Sequence, residues 1–120
     1  MRVVFHNPIN KLRAMVSSAR SKKARVPLEQ MIVNAILRHA QPAKIILFGS
    51  RARAEAHERS DYDVVIADEH LTRAALAHLR AEIAELPTLL NIDIVWLNRA
   101  ATILRERILS EGKILYEPQD

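Results

Sequence analysis

Three short apolar runs, residues 44–48, 61–67 and 92–97, constrain this chain more than any other feature, because stretches with helical spacing separate them. Runs of this length, rich in Val and Ile, suit strands buried in a packed domain. Ahead of the first, Met31, Ile32, Ala35 and Ile36 recur at helical spacing behind Pro27, predicting a helix over 27–39 that Pro42 stops. Residues 51–56 hold strong helix formers and read as a short helix entered through Ser50 as cap. Leu71, Ala75, Leu79, Ile83 and Leu86 form one stripe, predicting a helix over 70–86 ended by Pro87. A last helix over 100–111, closed by Gly112, precedes residues 113–116 as an edge strand. The order α-β-α-β-α-β-α-β predicts an α/β (α+β) domain, a small mixed sheet flanked by helices.

A chain of 120 residues has room for one such core. It has no cysteine, which excludes disulfides, thiolate catalysis and zinc–thiolate sites. No apolar run approaches the roughly 20 residues of a membrane-spanning helix. The apolar part of the first residues is too short for a secretory signal, so the expected compartment is the cytoplasm. The net charge of +4 is unevenly spread. Seven of the 18 basic side chains lie in residues 1–26, which hold no acid, while the other 11 are outnumbered by 14 acids. Residues 1–26 therefore read as a basic N-terminal extension, solvated rather than bound to nucleic acid, and residues 27–120 as the domain.

Three features carry chemistry. Gly49 and Ser50 stand where a buried strand meets a helical turn. Glycine lets the backbone approach a phosphate, and first-turn N–H groups favour anions. Asp61 and Asp63, one residue apart on a strand, point to the same face. Carboxylates so placed repel unless a cation lies between them, and Mg²⁺, held by a few carboxylates plus substrate phosphates, fits best. Asp93 interrupts an apolar strand, and it would complete a three-carboxylate cluster if strand 92–97 lay beside strand 61–67. The blander alternatives are two solvated acids at a strand's start and a strand-edge aspartate paired with an arginine.

The run Gly49-Ser50-Arg51-Ala52-Arg53, ten residues from Gly-Ser to Asp61-Tyr62-Asp63, and the later Asp93 resemble the signature of the minimal nucleotidyltransferases (MNT) of the DNA polymerase β superfamily. The closing Glu111-Gly112-Lys113-Ile114-Leu115-Tyr116 also looks like the end of these proteins, and the resemblance covers residues 28–117. It implies a polymerase β-like palm fold. It further implies that Asp61, Asp63 and Asp93 bind two Mg²⁺ ions and carry catalysis, Asp93 on the acceptor side serving as, or positioning, the base. Gly49 and Ser50 would cradle the phosphates of ATP or another nucleoside triphosphate, with one of Arg51 and Arg53 assisting and the other pairing with an acid. Many relatives have glycine where this chain has Ala54, which puts the loop over the nucleotide in question.

Larger members of the superfamily add a lobe for the acceptor, and no segment here is left over to form one. The resemblance therefore implies the antitoxin half of a HEPN/MNT toxin–antitoxin pair, a hetero-oligomer in which AMP passes from ATP to a tyrosine of the HEPN ribonuclease. Two alternatives are a non-catalytic module that neutralises a HEPN partner by covering it, and a transferase acting on a small molecule such as an aminoglycoside. The five histidines, His6, His39, His57, His70 and His78, show no metal-ligand spacing. Trp96 and Tyr116 read as packing or interface residues, and Glu82, Glu85, Arg105 and Glu106 as solvated helix faces.

Overall fold

The computed structural model describes residues 26–53 and 61–119. Residues 1–25 of the basic extension, Ala54, His57 and most of the spacer between Gly-Ser and Asp-Tyr-Asp lie outside these. Helix α1 (Leu28–His39) leads into β1 (Lys44–Phe48) and a tight 3-10 turn (Gly49–Arg51). Then come β2 (Tyr62–Ala67), α2 (Arg73–Ala84), β3 (Ile92–Trp96), a second 3-10 turn (Leu97–Arg99), α3 (Thr102–Glu111) and β4 (Lys113–Tyr116). The sheet order is β3-β2-β1-β4, with β2 and β3 parallel and the other pairs antiparallel. This is the expected mixed sheet, with β4 at its edge.

Strand alternation splits the core in two. On one face Ile45, Leu47, Val64, Ile66 and Ile94 pack with residues of α1 and α2, among them Ile32, Ile36, Leu79 and Ile83. On the other, Ile46, Val65 and Leu97 meet Ile108, the one buried residue of α3. Ile103 and Leu109 of α3 stay 76% and 53% exposed. Among the described residues the second face is thus covered more thinly than the first.

Several boundaries differ from the sequence expectation for local reasons. Helix α2 starts at Arg73 because the Thr72 hydroxyl accepts from the Ala75 N–H at 3.0 Å, an N-cap that fixes the first turn. Its buried stripe is Leu76, Leu79 and Ile83, with Ala75 only partly covered. The turn after β1 begins at Gly49 and not beyond Ser50, since the Gly49 carbonyl accepts from the N–H groups of Ala52 (3.1 Å) and Arg53 (3.3 Å). Ser50 therefore lies inside the turn and does not cap it. Glu82 is not a bare solvated acid: Arg38 and His39 of α1 both bond it, His39 at 2.7 Å, tying the two helices together. Arg105 also turns inward, donating to the Ala100 carbonyl at 3.2 Å.

Gly112 closes α3 as expected, though its backbone is extended (φ −75°, ψ 158°) rather than left-handed. Glycine is needed there for space. A Cβ would stand 2.3 Å from Ile46 Cγ2 and 2.6 Å from the Ile108 carbonyl oxygen. Among the described residues no helix is long and apolar enough to cross a membrane.

Candidate functional site

The parallel pairing of β2 with β3 decides where the aspartates fall. Its register sets Asp63 opposite Asp93, while the antiparallel pairing with β1 sets Asp63 opposite Phe48 on the other side. The backbone N–H of Tyr62 donates to the Asn91 carbonyl at 2.9 Å, which locks the entry of both strands. Tyr62 and Val64 belong to the core beneath α1 and α2, so Asp63 points to the thinly covered face with Val65. Asp63 is half-buried, and Asp61 and Asp93 are exposed.

Burial pushes the Asp63 carboxyl above the ordinary carboxylate value, and the charges of Asp93 and then Asp61 push it further in the same direction. Asp63 is thus close enough to feel the charges of both neighbours. Among the described residues, however, no three His, Cys, Asp or Glu side chains converge as a ready-made metal cage. This donor set fits Mg²⁺, a hard cation that binds one or two carboxylates and completes its shell with water and substrate phosphates.

Gly49 closes the site from the β1 side. Its φ of 78° is left-handed, and a Cβ there would stand 2.7 Å from Asp63 Oδ2. The position excludes side chains twice over, once by backbone conformation and once by the carboxylate against it. A left-handed glycine followed by a right-handed turn aims successive N–H groups into one concavity, a geometry that accepts anions. Ser50 and Arg51 lie half-buried in that turn, and Arg53 is exposed just after it. The Arg51 guanidinium rests over the Tyr62 ring, 4.1 Å from its centroid. Tyr62 itself projects to the face opposite Asp63.

Two groups of residues escaped the sequence reading. Asp68 is buried (4% exposed) and accepts from the N–H groups of Gln41 (3.0 Å) and His70 (2.9 Å), while its own carbonyl accepts from the Trp96 indole N–H (3.0 Å). It is a structural knot at the far end of β2. An aspartate two residues before a polar N–H is the local signal that could have found it. Arg80 donates to the Ile94 carbonyl at 2.8 Å and so covers the free edge of β3. Its spacing of seven from Arg73, which puts both on one helix face, was the available sign.

The family model described as "Polymerase beta, Nucleotidyltransferase" matches residues 30–120. No curated protein matches the sequence. A chain from a toxin–antitoxin crystal structure with AMP-PNP is 27% identical with a TM-score of 0.64, the match covering 76% of this chain and 74% of that one. A structure described as a minimal nucleotidyltransferase is 28% identical with a TM-score of 0.57, over 90% of this chain and 96% of that one. A chain from the complex of tri-AMPylated Shewanella oneidensis HEPN toxin with MNT antitoxin shares the fold at 24% identity and a TM-score of 0.59, over 76% and 71%.

Proposed function

The chain belongs to the polymerase beta nucleotidyltransferase family, and from that membership we propose that it transfers AMP from ATP to a hydroxyl of a partner protein. The register that sets Asp63 opposite Asp93, with Gly49 against the Asp63 carboxylate, is the observation that carries this reading. Asp61, Asp63 and Asp93 would hold Mg²⁺. When bound, Mg²⁺ supplies charge neutralisation at the α-phosphorus during an in-line displacement that releases pyrophosphate. The Gly49–Arg51 turn orients the outer phosphates through its N–H groups. Asp93, exposed at the start of β3, takes up or directs the proton of the attacking hydroxyl.

The acceptor is read as a helical HEPN ribonuclease, so that the protein acts as a cytoplasmic antitoxin in a hetero-oligomer. What supports this is the company of toxin–antitoxin complexes among similar structures, one with AMP-PNP at 27% identity. The test is incubation with the cognate HEPN protein, Mg²⁺ and ATP labelled at the α-phosphate. Label should appear on the partner and vanish with Asp61→Asn plus Asp63→Asn, while equal labelling by the double variant contradicts the reading. One rival is a binding module that neutralises its partner without catalysis. Calorimetry with Mg²⁺ and ATP that detects no binding would support that rival.

A further inference from the structure

The course of α1 along the sheet fixes where the basic extension meets the fold. The C-terminal end of α1 is anchored at the far end of β2. There the Gln41 N–H donates to Asp68 at 3.0 Å and the Ala43 N–H to the Ala67 carbonyl at 2.7 Å. The register of β1 with β2 pairs Lys44 with Ala67 at this end and Phe48 with Asp63 at the other. Residues 40–43 alone join α1 to β1, and α1 packs on the core from Leu28 to Ile36, so it runs back along β1. Twelve helical residues span about 18 Å, and the five of β1 about 17 Å. The first turn of α1 therefore lies level with Gly49 and the start of β2. In agreement, the charges of Arg51 and Glu29 both act on the Tyr62 hydroxyl.

Val26, just ahead of α1, is thus set down at the strand ends, where Gly49 follows β1 and Asp61 precedes β2. Helix α1 lies on the face opposite the Asp63 carboxylate, but a chain entering here has only to round the strand ends. Packed layers are about 10 Å apart, a distance that about three or four extended residues cover. Immediately before Val26 stand Lys22, Lys23 and Arg25, and residues 1–26 hold no acid. A tether this short gives the three cations an effective concentration on the order of millimolar at the strand ends. A triphosphate laid beside Asp61, Asp63 and Asp93 meets like charge. Sites for phosphoryl chemistry balance such charge with metal ions together with Lys or Arg.

We propose that Lys22, Lys23 and Arg25 reach round the strand ends and hold the outer phosphates of the nucleoside triphosphate. This rests on the reading of the site as one for Mg²⁺ and a nucleoside triphosphate. The bare carboxylates are the other charged target within the same reach, and the test separates the two.

The full chain is titrated calorimetrically with AMP-PNP in the presence of Mg²⁺. The near variant is Lys22→Gln plus Lys23→Gln plus Arg25→Gln. Its control, Arg2→Gln plus Lys11→Gln plus Arg13→Gln, removes the same charge from the distant part of the same extension. The near variant should bind about tenfold more weakly, and the control should change by less than about twofold. Affinity of the near variant equal to that of the unaltered chain, or a loss matched by the control, would overturn the proposal. So would tighter binding by the near variant, which would place the three cations on the carboxylates in competition with Mg²⁺. Absence of binding by the unaltered chain removes the nucleotide reading together with this one, whereas the other adverse results remove this one alone.

Discussion

Asp63 faces Asp93 across the parallel pairing of β2 with β3, and the Asp93 charge adds to burial in holding the Asp63 carboxyl above its ordinary value. A site arranged in this way is strained without its cation. The strain is electrostatic and therefore measurable in the stability of the metal-free protein.

Replacing Asp63 by Asn should raise the thermal midpoint of the metal-free protein at neutral pH. A carboxyl whose pKa is higher folded than unfolded binds more protons in the native state, so stability falls as pH rises through that interval. The advantage of Asp63→Asn should be full above the raised folded value and close as pH falls below the unfolded value of about 3.9. Thermal unfolding across a pH series checks this. A variant less stable than the original at neutral pH contradicts it.

Gly49→Ala should affect the site more than the fold. The left-handed backbone costs about 1–2 kcal/mol with any side chain. The added Cβ, 2.7 Å from Asp63 Oδ2, must also displace the carboxylate. Denaturant unfolding should show that modest loss, with Mg²⁺–nucleotide affinity reduced by a larger factor.

Gly112→Ala should do the reverse. Its Cβ would meet Ile46 Cγ2 and the Ile108 carbonyl at the root of α3, and overpacking of this kind costs about 1–3 kcal/mol or more. The chain should unfold at clearly lower denaturant concentration, with loosened α3 amides visible in hydrogen exchange.

The tie between α1 and α2 should be sensitive to acid. The Arg38 hydrogen bond, the largest effect, holds the Glu82 carboxyl below its ordinary value against burial, which raises it, and His39 adds a smaller lowering effect. A depressed folded pKa means the stabilisation is present above the unfolded value of about 4.3 and lost as pH falls through the folded one. Glu82→Gln should cost no more than about 1 kcal/mol, because the pair is largely solvent-screened, and less in high salt. Nucleotide binding should be unaffected, as Glu82 joins α2 to α1, and both helices pack on the sheet face opposite Asp63.

Much of this was legible from residue spacing. The apolar runs located three strands because continuous Val and Ile leave few other options, and Asp93 stood out as a charge within one of them. Less legible was anything set by neighbours distant in the chain. Glu82 looks solvated on its own helix, since Arg38 and His39 reach it from α1. Spacing alone leaves open which of Arg51 and Arg53 assists the phosphates, and the stacking of Arg51 over Tyr62 is visible only once β2 is in place. Gly112 invited a left-handed cap, but the closeness of Ile46 supplies the actual reason for glycine. Thr72 was a local capping signal that the smooth apolar stripe through Leu71 obscured.

The central claim is that Asp63, Asp93 and the Gly49 turn form one Mg²⁺–nucleoside triphosphate site. Calorimetric titration of the full chain with a non-hydrolysable ATP analogue, with and without Mg²⁺, tests it most directly. Saturable binding that requires Mg²⁺ and disappears in Asp63→Asn is the predicted result. Binding of equal strength by Asp63→Asn, or by the unaltered protein with the metal chelated, would contradict it.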